Sequence, residues 1–105
     1  MSPSGPFALS AVAAGRCSAQ GALTFATARA ARQLGLAALR AAGSGPLQID
    51  CGAVGLADSA GLAVLLDWLS AAKGLGCSLR YAHLPKDLMA LARISEVDEL
   101  LARGV

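Results

Sequence analysis

The chain has 105 residues, 55% of them hydrophobic, with nine Lys or Arg against seven Asp or Glu and a formal net charge of +2. That length allows one domain and one core. The small net charge gives nucleic acid no electrostatic footprint, and no apolar run approaches the roughly 20 residues of a membrane-spanning helix.

The segment Ser2-Pro3-Ser4-Gly5-Pro6 reads as a flexible lead-in (residues 1–6) rather than a signal peptide, because no basic stretch precedes an apolar one. The domain proper is expected over 7–105, soluble and cytoplasmic. Phe7 to Ala14 reads as a strand broken at Gly15-Arg16-Cys17-Ser18, which places Cys17 in an exposed turn. Ala22 to Phe25 is a short second strand, weakly signalled because alanine has poor strand propensity. From Ala26 to Ala42 the pattern is helical, and Gly43-Ser44-Gly45-Pro46 stops it. Arg29, Arg32, Gln33 and Arg40 share one side of that helix; Ala31, Leu34, Ala38 and Ala42 share the other. Every charged side chain up to Pro46 is an arginine. This basic half is either a solubilising face or a surface for an acidic protein or lipid headgroups. Gly35 costs the helix up to about 1 kcal/mol against alanine, which close packing would offset.

Leu47-Gln48-Ile49-Asp50-Cys51 alternates apolar and polar, which suits a strand ending at Gly52. A helix follows from Ser59 to Lys73, with Leu62, Leu65, Leu66, Leu69 and Ala72 as its core stripe. Beside the stripe, Val64, Trp68 and Ala71 form an apolar flank that either closes the core's edge or, if exposed, is a binding hot spot. Cys77 to Ala82 is the last strand. Pro85 fits the first turn of a third helix ending at Ile94, with Asp87 at its positive end. Ser95-Glu96-Val97-Asp98 has the form of a capping box opening a final helix closed by Gly104. This order implies an α/β fold, a four-stranded mixed sheet with about four helices mostly on one face.

Asp58 and Ser59 are the one chemically interesting pair, a carboxylate and a hydroxyl at a helix entrance where unpaired N–H groups concentrate. The site could hold a phosphate, meet a protein partner, or cap the helix through Ser59. Enzyme readings fare badly. His83 is a lone candidate base with no evident orienting partner, Asp50 with Asp58 has nothing around it to suggest chemistry, and no nucleophile elbow or P-loop is present. Cys17, Cys51 and Cys77 lack CxxC spacing, so neither a disulfide framework nor a metal site is expected. Cys51 and Cys77 read as small buried hydrophobes, and no cofactor is expected.

The strand Leu47–Cys51, the run Asp58-Ser59-Ala60-Gly61-Leu62 with its apolar helix, and Ala92-Arg93-Ile94-Ser95-Glu96-Val97 together resemble a STAS domain, over roughly Phe7 to Gly104. The resemblance implies one of two roles. In anti-anti-sigma factors a hydroxyl of this motif is phosphorylated by an anti-sigma kinase; here Ala60 leaves Ser59 as the single hydroxyl. In the small cytoplasmic STAS subunit (MlaB-like) of Mla-type ABC systems, which move phospholipids and maintain outer-membrane lipid asymmetry, the domain docks on the ATPase. Ser59-Ala60-Gly61-Leu62-Ala63 is closer to this second branch. The expected partner is therefore an ABC-transporter ATPase subunit, with an anti-sigma kinase as the alternative. The expected protein is not an enzyme, does not insert into the membrane, and reaches the inner membrane peripherally through its complex. Asp58, Ser59 and Gly61 would form the contact or phosphorylation site, with Val64 and Trp68 beside them.

Overall fold

The computed structural model describes residues 5–105, so residues 1–4 of the expected lead-in lie outside the described part. Its elements are β1 (Ala8–Ala13), β2 (Arg16–Leu23), α1 (Ala28–Ala42), β3 (Pro46–Ala57), α2 (Ser59–Leu75), β4 (Ser78–Ala82), α3 (Lys86–Ile94) and α4 (Asp98–Arg103). The strands lie in the order β1-β2-β3-β4. β1 runs antiparallel to β2, while β2, β3 and β4 are mutually parallel. Parallel neighbours need a crossover, and α1 and α2 supply the two crossovers.

The sheet buries one face. Leu47, Ile49 and Cys51 of β3 and Leu79 and Tyr81 of β4 are buried, while the alternate residues Gln48, Ser78 and Arg80 face solvent. This alternation is the mark of a sheet covered on one side.

Two strands depart from the expected boundaries. β2 begins at Arg16, not Ala22, and Cys17 is buried within it instead of lying in an exposed turn. Period-two order is present there, with Cys17, Ala19 and Gly21 inward and Arg16, Ser18 and Gln20 outward, but small residues carry it. β3 continues past Gly52 to Ala57. Between the pairs Ser18–Asp50 and Gln20–Ala53, and again between Gly21–Val54 and Leu23–Ala57, β3 has one residue more than β2. Each bulge resets the alternation, so the sequence period ends while the strand does not.

Helices α1 and α2 are joined by Trp68. Its indole is fully buried, flanked by Phe7 at 6.0 Å and Tyr81 at 6.5 Å between ring centroids, and its Nε1 donates to the Arg32 carbonyl at 3.3 Å. It lies against Gly35 of α1, where a Cβ would fall inside the indole ring. The glycine's helical cost is thus the condition for the close approach of α1 to the Trp68 ring. Val64 is 4% exposed and Trp68 0%. The expectation that they form a partner-binding flank is corrected: in the folded domain both are core. Arg29, Arg32, Gln33 and Arg40 do lie on the solvent side of α1, and Arg32 meets Asp67 of α2 at 3.3 Å.

The capping box also gives way. Ser95 ends α3, Glu96 takes a left-handed φ of 60°, and α4 starts at Asp98 without a side-chain cap. The Glu96 N–H donates to the Arg93 carbonyl and the Val97 N–H to the Ala92 carbonyl. This is the paired closure of a Schellman helix end, and it occupies the residues a capping box would use.

Candidate functional site at the start of helix α2

The parallel strands β2 and β3 end side by side, with Leu23 paired to Ala57 and the Asp58 N–H donating to the Leu23 carbonyl at 3.3 Å. Asp58 then caps α2. Its backbone is extended (φ −134°, ψ −171°), and its Oδ1 accepts from the N–H groups of Ala60 at 2.9 Å and Gly61 at 3.1 Å. Its Oδ2 accepts from the Phe25 N–H at 3.1 Å, in the loop that leads from β2 to α1. These donors favour the ionised form, with Phe25 contributing most, and hold the carboxyl below its ordinary value. The cap is therefore Asp58, where the sequence offered Ser59.

Ser59 becomes the first residue of the helix. It is exposed, and among the described residues its hydroxyl has no hydrogen-bond partner. Gly61 is buried, and a Cβ on it would strike the Leu23 carbonyl. Glycine is the residue that lets the first turn of α2 sit directly on the end of β2. The motif thus has a physical division of labour: a carboxylate that caps, a hydroxyl with no partner among the described residues, and a glycine that admits the strand.

Sequence reasoning missed two neighbours of this site. Phe25 is 85% exposed and Leu56 is 59% exposed. Both lie at the sheet end that carries Ser59, since Phe25 follows Leu23 by two residues and Leu56 precedes Ala57. Phe25 belongs to a turn, not to the end of a strand. The Thr24 N–H donates to Thr27 Oγ1 at 3.0 Å, and that hydroxyl donates to the Ala22 carbonyl at 2.8 Å. The available signal was Thr24-Phe25-Ala26-Thr27, a pair of turn-forming hydroxyls around one aromatic.

His83 is exposed, with its Nδ1 at 3.2 Å from Asp50 Oδ1. It therefore has the partner that the sequence did not reveal. Asp50 also accepts from the Gly52 N–H at 2.8 Å. That bond first, and then His83 and Arg16, lower its pKa. No described hydrogen bond connects this pair to Ser59 or Asp58. All three cysteines are buried and free. Burial raises each thiol pKa, that of Cys51 to about 12. Among the described residues no group of three or more His, Cys, Asp or Glu is placed to hold a metal ion. Nor is any helix there long and apolar enough to cross a membrane.

A mixed four-stranded sheet with a carboxylate-capped helix starting at its end fits an α/β STAS domain. Residues 9–102 match the family model described as Mlab, STAS domain, and the chain belongs to that family. No curated protein matches the chain.

Proposed function

We propose that this protein is a non-catalytic STAS subunit that binds and supports the ATPase of an Mla-type phospholipid-transport ABC complex. Through that complex it would sit peripherally at the cytoplasmic side of the inner membrane and serve outer-membrane lipid asymmetry. Membership of the MlaB-type family supports the reading. The observation that carries it is the state of Ser59: an exposed hydroxyl on a rigid helix start, unused within the described fold because Asp58 does the capping. A helix end held in place without its hydroxyl leaves that hydroxyl available to another protein. The test is binding of the purified chain to the ATPase subunit of an Mla-type ABC complex. Ser59→Arg is expected to weaken binding at least tenfold with an unchanged unfolding midpoint; a folded Ser59→Arg variant that binds like wild type refutes the reading.

The same exposure supports a second reading, an anti-anti-sigma switch. A kinase would transfer the γ-phosphoryl group of ATP to Ser59 Oγ, displacing ADP and releasing the hydroxyl proton. Incorporation of phosphate into wild type but not into Ser59→Ala, by a kinase that binds the unmodified chain, would replace the transport reading with this one.

A further inference from the structure

Independently of the transport reading, we infer that the chain pairs with a second copy of itself about a two-fold axis. Strand β1 meets β1 and helix α1 meets α1, joining the two sheets into one. The two edges of the sheet differ in a way that points there. At the β4 edge the chain's own C-terminus closes the strand. The Val105 N–H donates to the Leu79 carbonyl at 3.0 Å, and Ser78 Oγ donates to the Val105 oxygen at 3.1 Å. At the β1 edge, among the described residues, nothing does so. The backbone of β1 bonds there to β2 alone, and its outward N–H and C=O groups have no protein partner. Sheet edges that stay single are blunted by charges, proline or bulges. β1 carries neither charge nor proline, and its bulge at Val12 leaves Ala8 to Ala11 in regular register with β2.

The occupant follows from what flanks this edge. α1 is the crossover that returns from β2, so it runs in the same direction as β1. The two are nearly equal in length, about 22 Å for the helix and about 20 Å for the strand. Between them is an apolar groove of about 420 Å³, where Leu9, Ala11 and Ala13 of β1 face Leu34, Ala37 and Ala41 of α1. Leu34, 40% exposed, stands near the middle of the helix. A lone foreign strand satisfies the β1 backbone but brings no helix to cover Leu34. A partner that covers both has an edge strand with a helix beside it at the same spacing, and this chain is one. Pairing β1 antiparallel to its copy brings the two α1 helices together through Leu34. Like charges stay apart in that arrangement. Arg32 is turned to Asp67 of α2, and Arg29 and Arg40 lie on the next row round the helix. Arg16 stands at the hairpin end of the groove, and antiparallel pairing sends the two copies of it to opposite ends.

Sedimentation equilibrium of the full-length chain, up to millimolar concentration, is expected to show monomer and dimer in exchange. Ala11→Lys puts a charge on the strand edge, and Leu34→Glu sets two carboxylates against each other. Each is expected to weaken the dimer at least tenfold with an unchanged unfolding midpoint. Mixing Leu34→Glu with Leu34→Lys in equal amounts is expected to restore dimers, because a two-fold axis beside Leu34 sets the unlike charges together. A wild-type chain that stays monomeric at millimolar concentration overturns the inference. So does a dimer that survives both folded single variants, or one that the mixed pair fails to restore. If wild type is monomeric and Ala11→Lys weakens binding to the ATPase instead, the edge serves a foreign strand, and the transport reading survives without the dimer.

Discussion

Replacing Gly35 by alanine opposes a local rule to a tertiary one. Alanine is the better helix former by up to about 1 kcal/mol, so in an isolated α1 the substitution would stabilise. In the folded domain the new methyl would occupy the space of the Trp68 indole, against Cε2, Nε1 and Cζ2. The ring has little room to step aside, since Phe7 and Tyr81 flank it and the Arg32 carbonyl holds its N–H. The helices must therefore separate or the ring must leave its well. Over-packing of this kind costs about 1–3 kcal/mol, and loss of the indole hydrogen bond costs about 1 kcal/mol more. Set against the helical gain, Gly35→Ala should destabilise by about 1–3 kcal/mol, a sizeable part of the roughly 5–15 kcal/mol typical of a domain. Urea unfolding followed by fluorescence of Trp68, the sole tryptophan, measures this directly, with circular dichroism as the second probe. Trp68→Phe should be partly rescued in combination, the double variant losing less than the sum of the two single losses. An alanine variant as stable as wild type, or strictly additive losses, would refute the packing argument.

Two other predictions concern ionisable groups. Asp58 has a folded pKa below its ordinary value of 3.8, so the unfolded chain binds more protons as the pH falls and Asp58 stabilises the fold most while ionised. Asp58→Ala should cost about 0.5–2 kcal/mol at neutral pH. That deficit should shrink as the pH drops below 3.8 and through the folded value; equal gaps between the unfolding midpoints of the two proteins at pH 7 and pH 2 would contradict it. The buried thiols, with Cys51 pushed up to about 12, should react with a disulfide reagent at pH 8 only as fast as the protein opens, and rapidly in urea. One equivalent of fast-reacting thiol in the native protein would contradict the burial of Cys17, Cys51 and Cys77.

The fold was legible wherever large apolar residues kept time with their element. Leu62, Leu65, Leu69 and Ala72 announced α2, and the alternation through Leu47, Ile49 and Cys51 announced the first half of β3. It was obscured where the signal ran through small residues. In β2 the inward row is Cys17, Ala19 and Gly21, and a row this small reads as a turn because glycine and alanine are poor strand formers. The second half of β3 was hidden by its bulges, and the uncapped start of the expected final helix by the use of Ser95, Glu96 and Val97 to close α3. Trp68 marks a further limit. A helical stripe says that a residue lies beside the core stripe, but only the position of α1 decides whether that flank is wet. Gly35 was the missing half of the statement, since a helix carrying glycine at a contact point can approach close enough to bury the ring.

The site was legible as a place and misread as a set of roles. Asp58-Ser59-Ala60-Gly61 located the helix entrance, because a residue with a short polar side chain ahead of an apolar helix predicts a cap. Sequence alone left two such residues side by side. The choice falls to Asp58 because a serine hydroxyl has one oxygen, whereas a carboxylate has two and can satisfy the helix and the loop after β2 together. Once Asp58 serves both, the Ser59 hydroxyl has no partner among the described residues and the Phe25 backbone is tied to the helix start, two consequences of one residue's geometry. The bond to the Phe25 N–H escaped notice for the same reason: the carboxylate that accepts it lies 33 residues away, beyond any local period. The order of the turn after β2 is therefore set by tertiary contact, not by sequence spacing.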